Sequence, residues 1–388
     1  MVLSENAGSS AVNYLKLKAS GGILNTEFNS LDYKLYESTY VGTGTSFSWN
    51  DGGRSNGAII SQRAANPNLT FEKMKNINVG VEGYFFNNLL YVDANFFTTK
   101  NSGQLVQRTT FPAYLYLNVP YENFNETSYT GAELGIILSK TVGDLSIDLG
   151  ANFLYASSKA TVRSELHAND YQYRQGLPND VIFGLEAIGL FADSADILAS
   201  PPQWFGEVRK GDIKYKDQNG DNKIDQDDAV EIGNSVPTIS YGLTLNLRYK
   251  NFNLFALGNG QNGSESYYSG SYFRPVGDSK FSEEVLNRWT PETASTATYP
   301  RLSSKTSSNN NQNSTFWLYS NNYFRIDRVQ LTVDLPSSIA KQISSKGIGI
   351  YLRGDNLVRF SEDAEKRQLV IGLEPNYRSY AVGVKLMF

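Results

Sequence analysis

Apolar and polar side chains alternate one by one in segment after segment of this chain, and the segments are separated either by tight turns or by long polar stretches. A period of two puts one set of side chains on each face of a β-strand. The clearest run is Leu145, Ile147, Leu149, Ala151, Phe153 and Tyr155 set against Ser146, Asp148, Gly150 and Asn152. A second sets Ile239, Tyr241, Leu243, Leu245, Leu247 and Tyr249 against Ser240, Gly242, Thr244, Asn246 and Arg248, turns at Lys250 and Asn251, and returns through Phe252, Leu254 and Ala256. These runs exceed the ~5–6 residues usual in soluble sheets and match the ~9–11 that a tilted strand needs to cross a bilayer. Arg248 in hydrocarbon would cost about 2–4 kcal/mol near the midplane, so the apolar set is expected to meet lipid and the polar set a wet interior.

The same alternation recurs in residues 12–20 (VNYLKLKAS), 71–86, 89–100, 129–140, 323–335, 348–353 and 379–388, which brings the expected count to about ten strands. Their connections alternate in length. Asn87-Asn88, Val142-Gly143-Asp144 and Lys250-Asn251 are short, whereas residues 157–235 and the stretch before 323 are long and polar. That asymmetry predicts an all-β fold, a transmembrane antiparallel β-barrel with short periplasmic turns and long extracellular loops. Charged residues on the polar face then become lumen candidates: Glu82, Asp93, Glu133, Asp148, Arg248, Arg328, Asp334 and Arg353. Their role is either to handle cargo or simply to solvate the interior and pair with whatever fills it.

The long stretches carry their own signals. Asp217, Asn219, Asp221, Lys223, Asp225 and Asp228 fall at positions 1, 3, 5, 7, 9 and 12 of a calcium-loop pattern, residues 217–228 of the 157–235 excursion. Calcium takes six to eight oxygens, and this spacing wraps carboxylates, an amide and one backbone carbonyl around a point. Two positions depart from the pattern: Asn222 replaces the glycine at position 6 and Asp228 the longer glutamate at position 12. The expected cofactor is therefore a structural Ca2+, with a solvated acidic turn as the plainer reading. Further on, RWTPETASTATYPRL and the low-complexity run SSKTSSNNNQNS have a composition that implies mobility rather than a core. Tyr267, Tyr268, Tyr272 and Phe273 could stack on sugar rings, pack the loop, or seat a partner, the last being favoured; Trp289 and Trp317 have no assignable role.

Composition narrows the chemistry. Among 388 residues there is no cysteine and a single histidine, His167, which excludes disulfides and argues against a zinc site or a histidine-based triad. A net charge of −4 without a basic stripe gives no reason to expect nucleic acid as a partner, and no enzyme chemistry is expected. No apolar run approaches the length of a transmembrane helix, and the opening MVLSENAGSS has neither the basic nor the apolar region of a signal peptide. The chain is thus expected to be part of something larger.

Several stretches occur together in a recognisable order: NYLKLKASGG, NPNLTFEKMKNINVGVEGYFFNNLLYVDANFF, GDIKYKDQNGDNKID, RWTPETASTATYPRL, NYFRIDRVQLTVDLP and IYLRGDNLVRF. In them residues 1–388 resemble the C-terminal part of a SusC/RagA-type TonB-linked outer-membrane protein. The resemblance implies a barrel of about 22 strands closed by a plug, with signal peptide, TonB-contacting segment, plug and early strands expected to precede Met1. It also implies import of oligosaccharides or peptides, a SusD-like surface lipoprotein as partner, and drive through TonB. Tyr380 and Phe388, on the last alternating strand, resemble the aromatic-ended signal read by the barrel assembly machinery. The residues alone leave two other readings open, a small autonomous outer-membrane barrel and a calcium-stabilised surface β protein for adhesion or glycan binding.

Overall fold

The computed structural model describes residues 2–5, 11–27, 34–48, 55–108, 119–275, 280–305, 307–342, 344–362 and 376–388. Eleven antiparallel strands follow one another in chain order across a single sheet: β1 (Val2–Glu5), β2 (Val12–Thr26), β3 (Glu72–Phe85), β4 (Leu90–Gln107), β5 (Tyr121–Val142), β6 (Leu145–Val162), β7 (Ile239–Tyr249), β8 (Phe252–Asn262), β9 (Tyr323–Asp334), β10 (Gly347–Phe360) and β11 (Ser379–Met387). All ten expected strands are present, and the short β1 is added at the edge. Several run well past their apolar cores. The 22 residues of β5 span about 70 Å at ~3.3 Å per residue, more than twice the ~30 Å of a hydrocarbon layer.

Register keeps the two faces separate from edge to edge. Directly opposed residues form the row Lys16, Glu82, Asp93, Gly135, Asn152, Gly242, Asn259, Arg325, Arg359 across nine strands. One step along each strand the row becomes Leu17, Val81, Ala94, Leu134, Phe153, Tyr241, Gly260, Phe324, Phe360. A one-residue slip in any strand would exchange these sets, which is why the alternation fixes the pairing so firmly. Gly260 serves that apolar row directly. A Cβ there would lie 2.4 Å from the Tyr241 ring, which stacks parallel to Phe324 at a centroid separation of 6.2 Å.

The short turns sit together at one rim. Phe86, Asn87, Asn88, Gly143 and Lys250 all adopt the left-handed conformation there, as tight hairpins require. Tyr249 and Phe252, each half exposed, flank the Lys250 turn as an interfacial aromatic pair.

The opposite rim departs from the sequence expectation. The β6–β7 and β8–β9 connections fold together into a packed dome, although the composition of the second implied no core. Leu185, Ile213, Tyr215 and Ile224 from the first meet Val285, Tyr299 and Trp317 from the second in one buried cluster. Small strands brace it, Val181–Gly184 on Val230–Asn234, Ala187–Leu190 on Ile213–Tyr215, and Glu265–Tyr267 on Leu318–Ser320. Another hairpin, Thr39–Ser48 with Ser55–Arg63, forms in the polar stretch after β2. Among the described residues most buried apolar side chains lie in the dome, while Leu17, Ile77, Val79, Phe96, Leu149, Leu243 and Val382 stand exposed on the sheet. An exposed apolar sheet face beneath a packed dome is the inverse of a soluble sandwich and suits a lipid belt. No described helix is long and apolar enough to cross a membrane, which says nothing about crossing by strands.

Candidate functional site

All eight charged residues expected on the lumen wall point to the polar face. Glu82 and Asp93 oppose each other, and the two lysines of β2 reach across to them: Lys18 Nζ lies 2.5 Å from Asp93 and 3.7 Å from Glu82, Lys16 Nζ 3.6 Å from Glu82. Asn95 donates to the same Asp93 carboxylate at 2.8 Å. Asp148 accepts from Asn246 at 3.4 Å. On the far side Asp355 holds two guanidinium groups, Arg328 Nε at 2.7 Å and Arg353 Nε at 2.8 Å. Arg248 stands level with Ser146 and Asn253, and Asp334 with Gly349, at the short-turn rim.

The alternation found those eight but not their partners. Lys16 and Lys18 carry the opposite charge in the same rows, and Asp355, two residues beyond Arg353, shares its face by the same period of two. Arg325 and Asn259 both contact Asp327, which occupies the bulge between Ile326 and Arg328, where strict alternation fails. A bulge leaves no mark in the apolar pattern, and so this cluster was invisible.

Between these groups the polar face carries a groove of about 630 Å³, lined by Asp93, Glu133, Asn152, Ser240, Asn259 and Tyr323 among others. Carboxylates and carboxamides offer acceptors and donors along an extended wall. Such a wall can solvate and guide a polar ligand.

Tyr380 and Phe388 lie at the sheet edge on the apolar face, both well exposed, and Lys346 Nζ donates to the Phe388 backbone oxygen at 3.1 Å.

In the dome, the six calcium-type positions share one loop. Asp217 accepts from the backbone N–H groups of Gly220 at 2.7 Å and Asn222 at 3.0 Å, and Asn222 takes the left-handed conformation that position 6 demands. Asn219 and Asp221 cap the N–H groups two residues on. Asp228, fully buried, accepts from Gln218 at 2.8 Å and Asp225 at 2.9 Å. The fit to an ion is nevertheless incomplete. Among the described residues no three acidic or imidazole groups converge, and Lys223 Nζ stands 2.6 Å from Asp225 and 3.4 Å from Asp221. That ammonium holds the Asp225 carboxyl below the usual range and is itself held above its own.

The low-complexity run is packed into the dome rather than solvated. Asn309, Asn310 and Ser314 are buried. Asn309 Nδ2 donates to the Ile213 carbonyl at 2.9 Å and its Oδ1 accepts from Gln203 at 2.6 Å. Asn310 Oδ1 accepts the Ile213 N–H at 2.9 Å, and its Nδ2 donates at 2.8 Å to Asp212, which is fully buried and ion-paired with Arg301 at 2.8 Å. Trp317 Nε1 donates to the Asn310 carbonyl at 2.7 Å. Composition misled because asparagine side chains here substitute for sheet partners, satisfying buried backbone groups that no regular strand reaches. Burial pushes the Tyr215 phenol far up and that of Tyr299 to about 12, so both remain neutral donors.

Trp289 also acquires a place. Its ring packs on Gly211, where a Cβ would lie 2.5 Å from the indole and φ is +79°. Tyr267 and Tyr268 pack against the dome core, and Tyr268 sits 4.5 Å from Tyr319 and 4.6 Å from Phe273 by ring centroid. Their geometry is that of loop packing.

No family model matches the chain. It is 26% identical over 319 residues to TonB-dependent receptor P26 of Formosa agariphila, covering 77% of this chain and 31% of the receptor. Receptor P3 of the same organism is 21% identical over 365 residues, covering 86% of this chain and 36% of the receptor. The chain therefore spans about a third of the length of the curated relatives it matches. Among solved structures, a chain of the RagAB peptide importer in its open-open state superposes with a TM-score of 0.73 at 20% identity, covering 98% of this chain and 41% of that one. The closed-closed state gives 0.69, with 97% and 41% covered. Sheet, faces and rims together define an outer-membrane transmembrane β-barrel wall. More closely, the chain is similar in sequence to a stretch of TonB-dependent receptors and in fold to part of the RagAB importer chain.

Proposed function

We propose that this chain forms the C-terminal barrel wall of a TonB-dependent importer that carries oligosaccharides or peptides across the outer membrane. A SusD-like lipoprotein would cover its long-loop rim, and TonB would engage a segment outside these residues. The observation that carries this reading is the continuous row of charged, amide and glycine positions across nine strands of one face, with a groove along it and a co-folded dome at the long-loop rim. A wall of that kind favours passage over chemistry, in keeping with relatives named as receptors and with the likeness to an importer's fold. Deleting the gene in its native host is expected to abolish growth on one class of oligosaccharide or peptide while leaving growth on its monomers unchanged. Wild-type growth on every oligomer tested would overturn the proposal.

The loop at 217–228 enters the same proposal as a structural calcium loop. Spacing and the left-handed Asn222 support it, and an ion would have to displace the Lys223 ammonium. Added calcium is expected to raise the melting temperature of the detergent-purified protein, more so in Lys223→Ala and not in Asp217→Ala. A melting temperature indifferent to calcium and to chelator in all three proteins would refute it.

A further inference from the structure

Where the two dome excursions meet, a second cavity of about 330 Å³ opens, separate from the groove on the polar sheet face. Its polar lining comes from His167, Gln172, Arg174 and Gln226 of the first excursion and Gln312 and Asn313 of the second. In an acidic chain this lining contains no carboxylate at all. Arg174 lies with its guanidinium 4.8 Å from the Phe183 ring centroid, which holds the plane of the fork in place.

The site is built from behind. Glu165 Oε1 accepts the backbone N–H groups of Arg174 at 3.0 Å and Gln175 at 2.7 Å, fixing the turn that presents Arg174. Its other oxygen lies 3.4 Å from His167 Nε2 and 3.6 Å from Arg163 Nε, both within ion-pair distance. The His167 ring is wedged edge-on against Tyr173 at 5.3 Å. Gln226 Nε2 donates to Gln312 Oε1 at 3.1 Å, and Gln312 Nε2 to the Ser308 carbonyl at 2.9 Å, which ties the two excursions across the cavity. Among the described residues the Arg174 guanidinium has no carboxylate within ion-pair distance.

We propose that this cavity is a binding site for a small carboxylate, in which the planar Arg174 fork takes the carboxylate and the surrounding amides take neighbouring hydroxyl or amide groups of the ligand. A guanidinium matches a carboxylate by two parallel hydrogen bonds, and carboxamides supply both donors and acceptors. Two sources share that chemistry, an acidic sugar and a peptide C-terminus. The inference goes beyond the import reading, and binding rather than uptake tests it, so the two fail separately.

Isothermal titration of the detergent-purified protein with glucuronate, with the dipeptide Ala-Ala, and with the methyl ester of each is the test. Binding of an acid but not of its ester is expected, and whichever acid binds identifies the source. Arg174→Gln should weaken that binding by roughly tenfold or more, with Arg174→Lys in between. Intact folding of each variant is read from unchanged heat-modifiable migration and dome protease resistance, and Asn313→Ala, a loss on the other excursion, gives an independent reduction. Failure of both acids to bind, equal binding of acid and ester, or full affinity in folded Arg174→Gln would overturn the proposal.

Discussion

Asp212→Ala is expected to open the dome while leaving the sheet intact. Asp212 has no exposed surface; it pairs with Arg301, whose side chain is only 17% exposed, and it also accepts from Asn310 and from the Arg209 backbone N–H at 2.7 Å. Removing one partner of a buried pair costs about 3–5 kcal/mol, because the remaining charge stays buried without compensation. Here the loss also strips two further donors of their acceptor. The Asn309-Asn310 segment is thereby freed from the Ile213–Tyr215 strand, and the two excursions lose their common seam. Hydrogen exchange should rise sharply across 163–238 and 280–322 and stay low in β4 to β6. Asp212→Asn, which keeps two acceptor contacts and loses the charge, should fall between. Unchanged protection in both excursions of Asp212→Ala would show that the apolar cluster alone holds the dome.

The second large effect separates the two faces of one strand. Leu243, half exposed on the apolar face at the middle of β7, opposes Ala151 and Gly258. Leu243→Arg would place a guanidinium against hydrocarbon at a cost of about 2–4 kcal/mol near the midplane. Three residues on, Asn246 lies on the polar face 3.4 Å from Asp148, so Asn246→Arg sets the same group beside a carboxylate in water. Refolding into detergent, followed by heat-modifiable migration, should fall several-fold for Leu243→Arg and remain near wild type for Asn246→Arg. Equal losses in both would mean that β7 does not divide lipid from lumen.

Much of the wall was legible before any coordinates. Lys250 and Asn251 fixed one hairpin, and alternation from Ile239 to Tyr249 fixed which side chains share a face, since neighbouring strands pair without changing sides. Eight of the charges on the polar face followed from that alternation. Asp327 did not, because a bulge breaks the count, and neither did the Lys18 to Asp93 pair, which joins residues distant in sequence. In the dome the reading failed more deeply. NNNQN looks like a solvated linker by composition, yet Asn309 and Asn310 are among the most buried polar residues described.

The sequence by itself therefore determined ten of the eleven strands of the sheet, their facing, the rim asymmetry and a membrane location, all of which are local repeats imposed by a bilayer that the chain must match residue by residue. The tertiary structure alone decided that two excursions separated by a hairpin form one body. It also decided that Asp212 meets Arg301 and that Gln226 meets Gln312. Those contacts depend on which distant segments come to lie side by side, and no periodicity of a single strand carries that information.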